Sequence, residues 1–169
     1  MGDVIVPTIA PDNTRMAVVQ DRTVKAYHTY SNNTNVWVVP ATGGSLTKIS
    51  DHDFADESPR WSPDGKQILL TGKTAYHQFP KLYIANSNGS GASQLAVKDL
   101  DLIPTELHWF GAGSVLFQAR VKGEAQIVRA NLASRTLSNV TSGSRQVHEF
   151  DVNESAGELI YLANDFQHL

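Results

Sequence analysis

The chain contains no cysteine. Disulfide cross-links and thiolate metal sites are therefore excluded, and the compartment is left open. No apolar run approaches the roughly 18 residues that a membrane-spanning helix requires. No basic segment followed by an apolar one stands at the start, where Met1-Gly2-Asp3 leads straight into Val4-Ile5-Val6. A cytoplasmic protein fits this, and so does a periplasmic one whose export signal has been removed. Charge of one sign is also scarce: 14 Lys and Arg stand against 17 Asp and Glu, a net charge of -3. The cations, among them Lys48, Arg60, Lys66, Lys73, Lys81 and Lys98, form no run. Neither a nucleic acid nor a membrane is expected as partner. No apolar pattern of period 3.6 persists over three turns, so helix content should be low.

The stretch Ser58–Leu70, SPRWSPDGKQILL, is the best-formed local signal. Trp61 is read as opening a strand. Pro63 presets φ for a tight turn, and Asp64-Gly65 supplies an acceptor and a residue that tolerates left-handed φ. Ile68-Leu69-Leu70 reads as a short buried strand. Weaker copies recur. Pro11-Asp12-Asn13 precedes Met16-Ala17-Val18-Val19, with Asn in the place of Gly because it too tolerates left-handed φ. The third copy has Phe110-Gly111-Ala112-Gly113 before Ser114-Val115-Leu116-Phe117, and the fourth Val152-Asn153-Glu154-Ser155 before Leu159-Ile160-Tyr161-Leu162. Between them lie Val36-Trp37-Val38-Val39, Lys81-Leu82-Tyr83-Ile84-Ala85 and Ala125-Gln126-Ile127-Val128, each rich in β-formers and followed by a turn and a short outer strand.

The spacing holds along the chain. Pro11 and Pro63 stand 52 residues apart, Trp61 and Trp109 48, Ile49 and Leu95 46, Leu95 and Val140 45. A period of about 40–50 residues with four short strands per unit predicts an all-β protein, a β-propeller of four-stranded antiparallel blades. A sandwich also has many short strands, but it requires no constant period. Residues 1–169 are expected to form one partial propeller of about three and a half blades, with units starting near residues 7, 59, 106 and 148. Such a piece leaves strand edges uncovered. Remaining blades, from a missing segment or a second chain, or self-association, are expected to cover them.

The run Asn35–Gly44, then Leu46-Thr47, then Glu57–Gly65, with Trp-Ser-Pro-Asp-Gly-Lys at 61–66 and Leu82-Tyr83-Ile84 before a Gly-rich turn, resembles the TolB-like propeller repeat. More specifically, it is similar to the N-terminal propeller of the prolyl oligopeptidase family, in its acylaminoacyl-peptidase and dipeptidyl-peptidase branches. The resemblance covers the whole chain at repeat level and is strong over about 35–86. It implies a propeller capping an α/β-hydrolase domain that carries a Ser-Asp-His triad, and a role in restricting substrates to short peptides. No hydrolase domain is expected within this chain. A TolB-like module acting through protein–protein contacts, and a propeller polysaccharide lyase, are the alternatives.

The residues offer little chemistry of their own. The G-x-S-x-G elbow of such a hydrolase is absent; Gly43-Gly44-Ser45, Gly89-Ser90-Gly91 and Gly113-Ser114 read as hairpin turns. No catalytic residue is expected here. His28, His52, His77, His108, His148 and His168 form no H-x-x-x-H pair, so neither metal nor cofactor is expected. Asp51, Asp53, Asp56 and Glu57 cluster on an acidic loop. Ala55 interrupts the alternation a Ca²⁺ loop would need and no Gly follows, so a negative rim that attracts peptide amino termini is expected, with Asp53 and Asp56 as its binding residues. The repeat does not explain the insertion Tyr27-His28-Thr29-Tyr30-Ser31. Tyr27, His28 and Tyr30 are the expected substrate or partner contacts. Trp37, Trp61, Trp109, Tyr83 and Tyr161 fall at repeat positions and should be core.

Overall fold

The computed structural model describes residues 4–21, 33–75, 77–154 and 156–165. Every regular element among them is a strand. A first antiparallel sheet runs β1 (Val4–Ile9), β2 (Arg15–Asp21), β3 (Thr34–Pro40), β4 (Thr47–Lys48). A second repeats the order with β5 (Asp56–Trp61), β6 (Gln67–Gly72), β7 (Lys81–Asn86) and β8 (Gln94–Leu95). A third has β9 (Thr105–Trp109), β10 (Ser114–Val121), β11 (Glu124–Asn131) and β12 (Thr136–Asn139). The hairpin β13 (Arg145–Asn153) and β14 (Glu158–Asp165) follows. The chain forms two compact units, Met1–Leu95 and Ala96–Leu169.

The turns explain the repeat. Gly65 N–H donates to Ser62 O at 2.8 Å with Gly65 at φ 68°. Asn13 N–H donates to Ala10 O at 2.9 Å with Asn13 at φ 57°. The same left-handed residue closes both turns, Gly freely and Asn by the tolerance of its short side chain. The Asp64 carboxylate accepts from Ser62 Oγ and Lys66 N–H, which holds its pKa below the ordinary value; Asp12 does the same with Thr14. Trp61 ends β5 instead of opening a strand, and Asp56-Glu57 begin that strand instead of belonging to the preceding loop.

The first strands β1, β5, β9 and β13 each carry a register shift. Ser58 at φ 55° and Glu106 at φ 50° lie at two of them. Pro7 and Pro59 stand two residues before Ile9 and Trp61. Proline cannot donate to a ladder, and a bulge removes the demand.

In the three four-stranded sheets the second strands are central, and β6 and β10 are covered on both faces. In β6, Ile68, Leu69 and Leu70 are fully buried, as are Val115, Leu116 and Phe117 in β10, which is why these runs are continuous instead of alternating. Burying each such side chain contributes about 1.5–3 kcal/mol as an upper estimate. Within the first unit, Ala17, Val19, Val36 and Val38 of the first sheet pack with Trp61, Ile68, Leu70 and Tyr83 of the second. Trp61 Nε1 donates to Thr8 O at 3.0 Å. The Arg15 guanidinium lies 4.9 Å over the Trp61 ring and donates to Gly65 O and Ser87 Oγ. Within the second unit, Leu116 and Ile127 pack against Val147 and Phe150.

Trp61, Trp109 and Tyr83 are core as expected. Tyr161 is not: it is 40% exposed, beside Ile160 at 74% and Leu162 at 65%. It lies on β14, which pairs with β13 alone among the described strands. The repeat position is the same, but among the described strands no third one covers it.

Candidate functional site at the β4–β5 loop

The expected contacts Tyr27, His28 and Tyr30 fall between β2 and β3 and lie outside the described residues. Asp53 is exposed on the loop between β4 and β5. Asp56 is not on a rim. It is the first residue of β5 and its carboxylate is fully buried. A charge so enclosed must be paired, and three donors meet it. His52 Nδ1 stands 2.5 Å from Oδ1, His52 N–H donates to Oδ2 at 3.2 Å, and Asn35 Nδ2 donates to Oδ2 at 3.4 Å. The carboxylate has no freedom to greet a peptide amine. Asp51, exposed and ion-paired with Lys48, Asp53 and Glu57 form the solvated part of the cluster.

His52 is the residue that sequence reading passed over. An ionised carboxylate only accepts, so the imidazole carries its hydrogen on Nδ1 and turns the Nε2 lone pair the other way. Ser93 Oγ lies there, 3.1 Å from Nε2. The side chain of His52 is only 12% exposed, and its ring is held against Tyr83 with centroids 4.0 Å apart. Burial, and then the Asp56 carboxylate, push the Tyr83 hydroxyl pKa above its ordinary value. The result is a line Asp56–His52–Ser93 in which a buried acid fixes the tautomer of a base and the base faces a hydroxyl.

The surroundings fit closely around this line. A Cβ added at Gly72 would sit 2.7 Å from Asp56 Oδ1, 2.8 Å from His52 Nδ1 and 3.0 Å from Tyr83. Only a residue without a side chain lets all three meet. Beyond His52 and Ser93 opens a pocket of about 440 Å³, walled by Lys48, Asp51, Gly89 and Gly91 among others. Gly89 has φ 74°, and a Cβ there would come within 2.8 Å of Lys48 O, so the backbone must approach bare.

Register shows how unusual the line is within the chain. Asp56 pairs with Gly72; at the matching step β1 has Val4 opposite Gln20 and β13 has Val147 opposite Ala163. Gln94, Thr47 and Ser138 occupy one register in the outer strands, so Ser93 stands where the other sheets have Leu46 and Leu137. The repeat asks for apolar residues at both places, and the second sheet supplies an acid and a hydroxyl. Aligning the repeats by their turns exposes this signal; no local motif does. Among the described residues no group of three or more His, Asp or Glu is placed to hold a metal ion.

No family model matches the chain. A peptidase of Bacillus subtilis, YuxL, itself uncharacterized, is 28% identical over 89 residues, which are 53% of this chain and 13% of that protein. The β-propeller domain of the trilobed protease from Pyrococcus furiosus matches 98% of this chain and 46% of its own, with TM-score 0.70 and 17% identity. A puromycin-hydrolyzing peptidase of Mycobacterium tuberculosis matches 96% of this chain and 28% of its own, with TM-score 0.73 and 12% identity. TolB from Acinetobacter baumannii matches 99% of this chain and 42% of its own, with TM-score 0.63 and 17% identity. The chain thus spans less than half of each of these proteins. By fold it is a partial β-propeller, similar to TolB and to the propeller domain of the trilobed protease.

Proposed function

We propose that this chain is the substrate-gating propeller region of a serine peptidase of the prolyl oligopeptidase family that acts on short peptides, with the peptide-bond chemistry carried by an α/β-hydrolase domain. The observation that carries this reading is the match of nearly the whole chain to peptidase propellers at TM-scores of 0.70 and 0.73, joined by sequence similarity to a peptidase. The exposed Ile160 and Leu162 on β14 support a partner for that edge, either remaining blades or a second copy. The loop carboxylates Asp51, Asp53 and Glu57 offer a negative surface suited to peptide amino termini.

The test is a series of substrates from dipeptides to folded proteins, given to the parent protein. Cleavage confined to short peptides, and a higher KM for amino-terminal substrates after charge reversal of Asp53, are expected. Equal cleavage of long and short substrates would remove the gating role. The likeness to TolB over 99% of the chain supports a second reading, a module working through protein–protein contacts. In that case no peptide is cleaved, and the parent protein retains a defined protein partner on purification.

A further inference from the structure

We infer that Ser93 is an activated nucleophile, a second reactive centre within the propeller that accepts the acyl group of an ester held in the pocket beside it. This does not rest on the gating reading. Three observations converge. The first is the geometry: Asp56 Oδ1 to His52 Nδ1 at 2.5 Å, His52 Nε2 to Ser93 Oγ at 3.1 Å. A nucleophile within hydrogen-bond reach of a base, itself oriented by a third group, is the arrangement that activates a serine, and it is recognised by geometry instead of sequence position. The second is access. Asp56 is fully buried and His52 nearly so, while Ser93 is half-buried and lines a pocket of about 440 Å³. A structural tether needs no such opening at its hydroxyl end. The third is the departure from the repeat. Elsewhere the Asp56 step holds Val147, which is buried, and the Ser93 step holds Leu46, which is exposed, and Leu137, which is half-buried, so the shared repeat itself calls for neither this acid nor this hydroxyl.

The chemistry balances without any cofactor. Ser93 Oγ forms a bond to the ester carbonyl carbon while its proton passes to His52 Nε2. The carbon–oxygen bond to the alkoxy group breaks, and the leaving alcohol takes that proton. Water then attacks the acyl-Ser93, giving its proton to Nε2. The acyl–Oγ bond breaks, a carboxylic acid departs, and Oγ recovers the proton. Asp56 stabilises the imidazolium formed at each transfer and is not itself protonated. His52 is the general base and Asp56 is a positioning residue. The β4–β5 loop supplies His52 and the β7–β8 loop supplies Ser93, so the line is assembled when these two loops meet beside β5.

The test uses a fluorophosphonate, whose phosphorus is attacked by an activated serine with loss of fluoride, on the intact protein, with the adduct mapped by peptide mass spectrometry. An adduct on Ser93 is expected. Its rate should fall by about 10²–10⁴-fold in His52→Gln, the range supplied by a positioned base. Mapping separates this adduct from one on any hydrolase-domain serine. If His52→Gln does not fold, the native and urea-unfolded natural proteins decide instead: labelling of Ser93 only in the folded protein supports the assignment. No adduct on Ser93, an adduct formed equally fast in His52→Gln, or equal labelling of folded and unfolded protein would overturn it.

Discussion

The two units solve one problem in two ways. In each, a polar residue at the start of a third strand reaches the beginning of the next sheet. Asn35 and Gln126 occupy the same register, and Ser50 and Thr141 accept the N–H of Val36 and Ile127, each at 2.9 Å. In the second unit the link ends on backbone: Gln126 Nε2 donates to Arg145 O at 2.7 Å and Gly143 O at 3.3 Å, and its oxygen accepts from Thr141. In the first unit it ends on a carboxylate, which recruits a histidine and through it a serine. A carbonyl satisfies a donor and goes no further. A carboxylate brings a charge that must itself be satisfied, and the residues that satisfy it form a line with chemical capacity. What the repeat shares is structural, and the part it does not share is the candidate for function.

The largest effect expected from breaking the contrast is Asp56→Ala. It leaves Asn35, His52 Nδ1 and a backbone N–H without their acceptor in a buried place, a loss of about 3–5 kcal/mol for a broken buried pair. Thermal or denaturant unfolding reads it. The sharper form restores the second unit's solution. Asp56→Val with Ser93→Leu and His52→Ala replaces the line by apolar packing, and more than half of the lost stability should return. A triple variant no more stable than Asp56→Ala would mean that the line is needed for the sheets to pack.

Gly72→Ala comes next. The residues of the second unit that stand at the step of Gly72 in their own sheets are Ala119 and Ala163, so an alanine is acceptable to the fold at this step. In the first unit the new methyl meets Asp56, His52 and Tyr83 at 2.7–3.0 Å, and overpacking of about 1–3 kcal/mol is expected. In the triple variant the same substitution should be neutral or stabilising, because alanine has less freedom to lose on folding. A similar destabilisation in both backgrounds would show that the backbone of β6, and not the line beside it, demands glycine.

Most of the fold was legible because its signals are local. Turn residues at Pro63-Asp64-Gly65 and Pro11-Asp12-Asn13, and the apolar runs Ile68–Leu70 and Val115–Phe117, announce strands and their spacing without reference to anything distant. The bulges were half legible, through Pro7 and Pro59, and silent at Glu106, where no proline marks the shift. Tyr161 was misread because a repeat position gives a residue's direction, and burial depends on the neighbour that covers it. The site was less legible still. Asp56 reads as one member of an acidic run, and only its place at the head of β5 turns it inward. His52 and Ser93 are 41 residues apart and meet only when two outer loops are brought together. The departure from Val and Leu at the matching repeat positions was present in the sequence, and it becomes visible only once register is known.

The smallest effect concerns how each unit treats a carboxyl group. Asp56 has three donors. Glu154, half-buried in the second unit, has its pKa raised by burial, opposed only in part by the Trp109 N–H that it accepts. Glu106 is raised as well, by burial and then by Glu149. A carboxyl whose pKa is higher folded than unfolded stabilises the fold while protonated and loses that contribution as the pH rises through the folded value. At neutral pH, Glu154 is therefore a mild burden. Glu154→Gln keeps an acceptor for Trp109 and removes the charge, so it should stabilise the protein by a few tenths of a kcal/mol, as expected for a partly solvent-screened group (roughly 0.2–0.5). The gain should vanish when unfolding is measured below the ordinary glutamate range, where the natural side chain is itself neutral. Asp56→Asn should behave in the opposite sense, destabilising at neutral pH, because its amide brings a further donor to a buried place where three donors already converge. If both substitutions shift stability in the same direction at neutral pH, the contrast between a solvated and a fully partnered carboxylate does not distinguish the two units.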